Sequence, residues 1–125
     1  MRKIYFIYLC FVMFLGCHQS CPEGFKHKGI FASEVKQYDY CELLSKSLKN
    51  DSRAFQEFIS IDLEGGLIIN HANDLVQLID KIGITTVCDW IKKGKVDKER
   101  LVYVLKAAST DHMRLIADGE KQICD

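Results

Sequence analysis

The clearest helical pattern in the chain is residues 73–83, NDLVQLIDKIG. Apolar residues recur there at steps of three and four, which is typical of a helix that buries one face. The residues on that face are Leu75, Val76, Leu78, Ile79 and Ile82. Asn73 can cap the start of this helix, and Gly83 can end it by taking a left-handed conformation. The stretch therefore predicts a short amphipathic helix.

Similar patterns occur on both sides of this stretch. Further helix starts are predicted at Ser33, at Asp51 or Ser52, at Thr85 or Thr86, at Asp97 and at Asp111. Asn50 and Gly94 can end two of these helices. About six short helices predict an all-α fold. They can form stacked antiparallel pairs, over roughly 33–62, 73–93 and 97–123, or an irregular bundle.

Residues 60–72 follow this pattern least well. Residues 61–64 can extend the preceding helix until Gly65 and Gly66 break it. Residues 67–69, Leu-Ile-Ile, form a short apolar run that could be a strand. A single strand would find no obvious partner elsewhere in the chain, so we expect a buried loop or a distorted turn at these residues.

The N-terminus has the pattern of a secretory signal. Residues 1–16, MRKIYFIYLCFVMFLG, carry two basic residues and then thirteen without charge. A bilayer span needs about 20 apolar residues, so this run is too short to be one. We therefore expect residues 1–16 to be a signal peptide, 17–32 a tether with a docked segment, and 33–125 a helical domain.

The next residues, Phe14-Leu15-Gly16-Cys17, resemble the lipobox of bacterial lipoproteins. In that motif a small residue precedes a cysteine, and the cysteine becomes the acylated N-terminus. Phe14 departs from the motif, which usually has Leu at this position. With its general layout, the chain is similar to small bacterial lipoproteins without assigned activity, some of them immunity proteins. The resemblance implies palmitate or a related acyl chain on Cys17, and a cell-envelope protein that faces the periplasm or the exterior. It transfers no functional residues.

The cysteine count agrees with acylation. The chain has six cysteines, and Cys10 would leave with the signal. Acylation of Cys17 would then leave an even set of four that can form two disulfides in an oxidising compartment. These disulfide candidates are Cys21, Cys41, Cys88 and Cys124. Four cysteines allow three pairings, and the sequence does not choose among them. Because no CxxC pair is present, the spacing argues against a thioredoxin-like redox site and a structural zinc site.

The charge balance excludes a strong whole-chain attraction to nucleic acid. Lys plus Arg and Asp plus Glu each number 17, and removal of Arg2 and Lys3 leaves 15 against 17. Two local features are candidates for binding a protein partner. Gly65 and Gly66 would let a partner approach the backbone closely. The other is a basic patch around Gly94, which could meet an acidic protein or anionic headgroups. It comprises Lys92, Lys93, Lys95 and Lys98.

Motifs that carry chemistry are scarce. His71 and Asp74 have a spacing that can present two metal ligands on one helix face, but no third ligand is evident. Asp74 is also explained by the helix dipole, if it lies in the first turn. The sequence contains no GxSxG, no HExxH and no phosphate-binding glycine-rich motif. We therefore predict no catalytic residue, no metal and no cofactor.

The sequence favours a membrane-tethered protein-binding module of the cell envelope, such as an immunity-type inhibitor of a toxin or hydrolase. One alternative is a small envelope enzyme or metal-binding protein that uses His71 and nearby carboxylates. A second alternative is an accessory subunit of an envelope complex.

Overall fold

The helical prediction can be compared with a computed structural model, which describes residues 21–25, 39–109 and 123–124. These residues form five α-helices and no strand, which confirms the all-α fold. The helices are α1 (Tyr40–Leu48), α2 (Ser52–Ile59), α3 (Gly66–Ile82), α4 (Ile84–Lys92) and α5 (Lys98–Leu105). The starts predicted at Ser33 and Asp111 lie outside the described residues.

Aspartate side chains begin three of the helices. The Asp51 carboxylate accepts hydrogen bonds from the backbone of Arg53 and Ala54, at 3.0 and 3.2 Å. Asp97 caps α5 in the same way, and Asp39 caps α1. An aspartate satisfies backbone N–H groups that have no partner within the helix, and its charge suits the helix N-terminus. The starts predicted at Asp51 and Asp97 are confirmed. Asn50, with φ +65°, lies in the turn that separates α1 from α2, as predicted.

The prediction for residues 67–69 was wrong. They lie in the first turns of α3, which begins at Gly66. Leu67 and Ile68 are partly buried and pack against the core, so burial of these side chains supports a helix where the local sequence suggested a loop. The preceding residues 61–64 do not extend α2, which ends at Ile59. Gly65 and Gly66 thus begin a helix instead of ending one.

Asn73 lies in the middle of α3 and caps no helix. Its side-chain oxygen accepts hydrogen bonds from the backbone N–H and the hydroxyl of Ser109, at 3.0 and 2.9 Å. Gly83 ends α3 with φ +96°, and this role was predicted correctly. Gly83 also precedes α4 directly, so α4 begins at Ile84, slightly before the predicted Thr85 or Thr86.

The core is formed mainly by α3 and its neighbours. Helix α3 packs against α1, α4 and α5, and α1 and α2 pack closely on one another, in agreement with the first predicted pair. The largest fully buried side chains of the helices come from α1, α2, α3 and α5. They include Phe55, Phe58, Leu44, Leu75, Leu78 and Leu101. None of the described helices combines the length and apolar character needed to cross a bilayer.

Candidate functional site

A disulfide joins the segment around Cys21 to the start of α1. Cys21 is bonded to Cys41 in the first turn of α1, with the two Cα atoms 4.5 Å apart. The nearby Phe25 is buried, and the Lys81 ammonium lies 5.9 Å from the centre of its ring. A Cβ added to Gly24 would lie 3.2 Å from the same ammonium nitrogen. This surface, residues 21–25, 39–41 and 80–84, is named the Cys21 end.

A second disulfide joins Cys88 of α4 to Cys124, with Cα atoms 5.1 Å apart. The adjacent Ile123 is buried, so the segment around Cys124 is held by packing as well as by the covalent bond. All four predicted disulfide cysteines are therefore paired, in one of the three possible arrangements. The two bonds confirm the expectation of a disulfide-braced fold. Native disulfides of this kind each stabilise a small domain by about 2–4 kcal/mol.

The glycine pair lies at the start of α3. Gly65 has φ +62° immediately before α3, a conformation that favours glycine because it has no Cβ. Both Gly65 and Gly66 are exposed, and a Cβ added to either would meet no other atom within 4 Å. Space is therefore open above this backbone. The 17 residues of α3 separate Gly66 from Ile82 by about 24 Å.

Helix α5 begins beside the end of α2 and the connection that leads to the glycine pair. The Arg100 guanidinium donates hydrogen bonds to the backbone carbonyls of Ile59 and Ile61, at 2.6 and 2.9 Å. The Gln56 side chain accepts a hydrogen bond from the Asp97 backbone at 2.8 Å. The two Arg100 bonds satisfy carbonyl groups at and after the end of α2, where no helical partner exists. They hold the start of α5 against the connection that leads to Gly65. Residues 62–66 and 95–100 are named the Gly65 end.

The four candidate lysines lie on both sides of the turn between α4 and α5. Lys92, Lys93 and Lys95 are exposed, and Lys98 is half-buried at the first residue of α5. Lys93 forms an ion pair with Asp89 at 2.9 Å. Such exposed pairs contribute little to stability. Lys95 and Lys98 lie within residues 95–100 of the Gly65 end. Lys92 and Lys93 precede these residues in the chain.

A polar cluster of Tyr40, His71 and Asp74 is buried between α1 and α3. The Tyr40 hydroxyl donates a hydrogen bond to the Asp74 carboxylate at 3.0 Å, and it lies 3.1 Å from Nδ1 of His71. Phe58 of α2 covers the imidazole, with ring centres 4.5 Å apart. His71 and Asp74 have no exposed surface. Hydrogen bonding within the cluster offsets the cost of burying these polar groups.

Burial determines the protonation of this cluster. Burial, together with the positive charge of Arg100, lowers the pKa of His71 from 6.5 to about 4, although a hydrogen bond to the Phe58 backbone acts in the opposite direction. Burial also raises the pKa of the Tyr40 hydroxyl, and the charge and hydrogen bond of Asp74 raise it further. At neutral pH the cluster therefore contains a neutral imidazole and a protonated phenol.

The same cluster contains His71 and Asp74, the two residues of the alternative metal site. His71 and Asp74 do come together, but they share the Tyr40 hydroxyl. Among the described residues, no group of three or more His, Cys, Asp or Glu side chains is placed to hold a metal ion. The position suggested for Asp74 was wrong, because α3 begins at Gly66 and Asp74 lies well beyond its first turn. The arrangement is suited to joining α1 and α3.

Comparison with known proteins finds no matching family model, no similar curated protein and no similar solved structure.

Proposed function

We propose that the protein is an exported binding module, tethered to a membrane by acyl chains on Cys17, which takes a protein partner at the Gly65 end. The observation that carries this proposal is the pairing of Cys21 with Cys41 and of Cys88 with Cys124. After removal of residues 1–16, Cys17 is the one further cysteine in the sequence. It stands where the lipobox resemblance expects acylation.

The disulfides also support export. Disulfides persist in oxidising compartments such as the periplasm and the cell surface, and they are rare in the cytosol. A domain of this size gains rigidity from two such bonds. Rigidity favours a binding function, because a preorganised surface loses less conformational entropy when a partner docks.

The Gly65 end offers features that suit a protein partner. Open space lies above Gly65 and Gly66, so a partner could pack directly on the backbone. Ile69, one turn further along α3, is an exposed apolar side chain, and Lys95 adds an exposed positive charge. An immunity-type inhibitor of a toxin or hydrolase is the specific form of binding module that we propose. The identity of the partner would separate it from an accessory subunit of an envelope complex.

The tether is tested by the intact mass of the protein from its native host. The mass is measured before and after reduction and alkylation under denaturing conditions. We expect a diacyl or triacyl addition at Cys17, and four thiols that become alkylated only after reduction. An unmodified Cys17 would contradict the tether.

The binding surface is tested by crosslinking in the native envelope, followed by purification of the protein. Gly66→Gln places a long side chain in the open space and should abolish capture of a specific partner without unfolding the domain. Thr85→Gln is the matched control, since Thr85 is exposed on α4 at the opposite end. Equal capture by both variants would contradict a role for the Gly65 end.

A further inference from the structure

We infer that the outer face of α5 binds a second copy of this chain, so that two α5 helices form an antiparallel pair. The face is a stripe of four residues, Glu99, Val102, Tyr103 and Lys106, named the α5 stripe. Their spacing of three and four places them on one side of the helix. The stripe shares only Glu99 with the Gly65 end, so this interaction surface is additional to the proposed binding site.

Tyr103 is the most exposed large apolar side chain in the described part of the chain. It is 54% exposed, against 45% for Ile69 and 40% for Ile84. The Arg100 guanidinium lies 5.0 Å from the centre of the Tyr103 ring and restricts its orientation. Tyrosine is common among the residues that dominate binding at interfaces, because it offers a large contact area and loses little entropy. Tyr103 is therefore a preorganised anchor on α5.

Opposite charges flank this anchor on its own helix. Glu99 precedes Tyr103 by four residues and Lys106 follows it by three, and both are exposed. Within the described residues, neither Glu99 nor Lys106 forms an ion pair. Ile69 and Ile84 have no charged residue three or four positions further along their helices. The charge pattern thus distinguishes the surface around Tyr103 from the other exposed apolar positions.

The α5 stripe is complementary to itself about a two-fold axis between Val102 and Tyr103. In an antiparallel pair, Glu99 of one copy faces Lys106 of the other, and the same contact forms again at the opposite end of the stripe. Val102, which is partly buried against the core, faces Tyr103 across the axis. A parallel pair would place Glu99 beside Glu99, and like charges disfavour that arrangement. Charge complementarity therefore selects the antiparallel pair.

The α5 stripe covers about two helical turns and makes a small interface. Stable protein–protein interfaces bury about 1,200–2,000 Å² in total, and two short helix faces bury less. We therefore expect a weak pair that forms where copies are concentrated. Acyl chains on Cys17 would hold copies at one membrane surface and raise their effective concentration. In this respect the inference rests on the proposed tether.

The experiment uses the full acylated protein in phosphatidylcholine vesicles, as an equal mixture of isotope-labelled and unlabelled chains. A water-soluble carbodiimide joins a carboxylate to an amine in contact with it, with loss of water. We expect an amide link between Glu99 and Lys106 that joins labelled to unlabelled chains. Glu42 and Lys46, an ion pair at 2.7 Å within one chain, are the internal control and should be linked without isotope mixing. Mass spectrometry of the digested protein measures both links.

Two charge variants test the register. Glu99→Lys and Lys106→Glu each place like charges together at both ends of the stripe when a variant meets itself. When the two variants are mixed, opposite charges face each other again at both ends. We expect links between the variants that join position 99 of one to position 106 of the other. Links that join position 99 to position 99 would show a parallel pair and overturn the inference.

Tyr103→Ser tests the anchor. The variant removes the exposed ring, so the isotope-mixed link between Glu99 and Lys106 should fall several-fold. Ile84→Ser is the matched control, since it removes another exposed apolar side chain from a different helix, and it should keep the link. Equal links in the two variants would show random contact at the membrane surface and overturn the inference.

The outcomes separate the pair from the proposed function. Acylated protein that gives the control link between Glu42 and Lys46, but no isotope-mixed link between Glu99 and Lys106, would overturn the pair and leave the tether standing. An unmodified Cys17, seen first in the intact mass, would overturn both, because the pair would lose the membrane surface that concentrates it.

Discussion

The two ends of this domain are held together by different kinds of interaction. At the Cys21 end, a disulfide and the buried Phe25 fix a segment that comes long before α1 in the chain. At the Gly65 end, hydrogen bonds from Arg100 and to Gln56 hold α5 against the end of α2 and the connection that leads to the glycine pair. The covalent end suits a permanent attachment. The hydrogen-bonded end leaves backbone accessible, as a surface that binds and releases a partner requires.

Removal of the disulfides should have the largest effect on stability. In the chain-entropy description, loss of Cys88–Cys124 costs about 4 kcal/mol of unfolding free energy and loss of Cys21–Cys41 about 3 kcal/mol. Denaturant unfolding of the two double-serine variants measures these values. Hydrogen exchange then locates the change. In the Cys21→Ser/Cys41→Ser variant it should rise at residues 21–25 and the start of α1. If hydrogen exchange rose equally at the Gly65 end, the idea that different interactions hold the two ends would be contradicted.

Acid should loosen the polar cluster beside the Cys21 end. Unfolded His71 binds a proton near pH 6.5, whereas folded His71 binds it only near pH 4. The unfolded state therefore takes up more protons between these values, so the unfolding free energy falls as pH falls from about 6.5 to about 4. The loss should reach roughly 3 kcal/mol.

Urea unfolding across this pH range measures the loss. The control is His71→Gln, which should show a flatter dependence whatever its stability at neutral pH. An unchanged slope would mean that other groups, such as carboxylates, cause the acid sensitivity.

Arg100→Met should weaken the Gly65 end. The variant keeps the apolar stem and removes two hydrogen bonds to carbonyls, so we expect a loss of about 2 kcal/mol. It should also raise the pKa of His71, because the charge of Arg100 lowers that pKa in the native protein. Arg53→Met, at an exposed position on α2, is the control and should change stability by less than about 0.5 kcal/mol. Nuclear magnetic resonance titration of His71 follows the pKa directly.

The smallest expected effects distinguish the two adjacent glycines. Gly65→Ala should destabilise the domain by about 1–2 kcal/mol, because an L-residue is strained at φ +62°. Gly66→Ala should stabilise it by about 0.5–1 kcal/mol, because alanine favours the helix. Neither added methyl group meets another atom, so the thermal midpoints report backbone conformation alone. Destabilisation by both variants would show that the open space is filled.

The features predicted from sequence are those that depend on near neighbours. Asp51 and Asp97 cap helices through bonds to residues two and three positions away, and such patterns are visible in a local stretch. The Arg100 bonds join residues 39 and 41 positions apart, and Tyr40 and His71 are separated by 31. No local pattern indicates such contacts.

The errors have the same origin. Residues 67–69 are helical because Leu67 and Ile68 pack against a core assembled from distant segments. The disulfide pairing likewise depends on how the folded domain brings distant cysteines together. A buried polar side chain on an apolar helix face was the one available sign of the cluster. His71 shows that sign only once α3 is known to begin at Gly66, and it does not identify Tyr40 as the partner.

The two attachments of α5 have a mechanical consequence. Arg100 is bonded near one end of this helix and Ser109 is bonded to Asn73 beyond the other end. Sliding α5 along α3 by one turn, about 5.4 Å, would break both attachments at once. Helix α5 therefore acts as a strut of fixed register. A partner that pulls on the Gly65 end would transmit its load through α5 to the middle of α3, where Asn73 is bonded to Ser109.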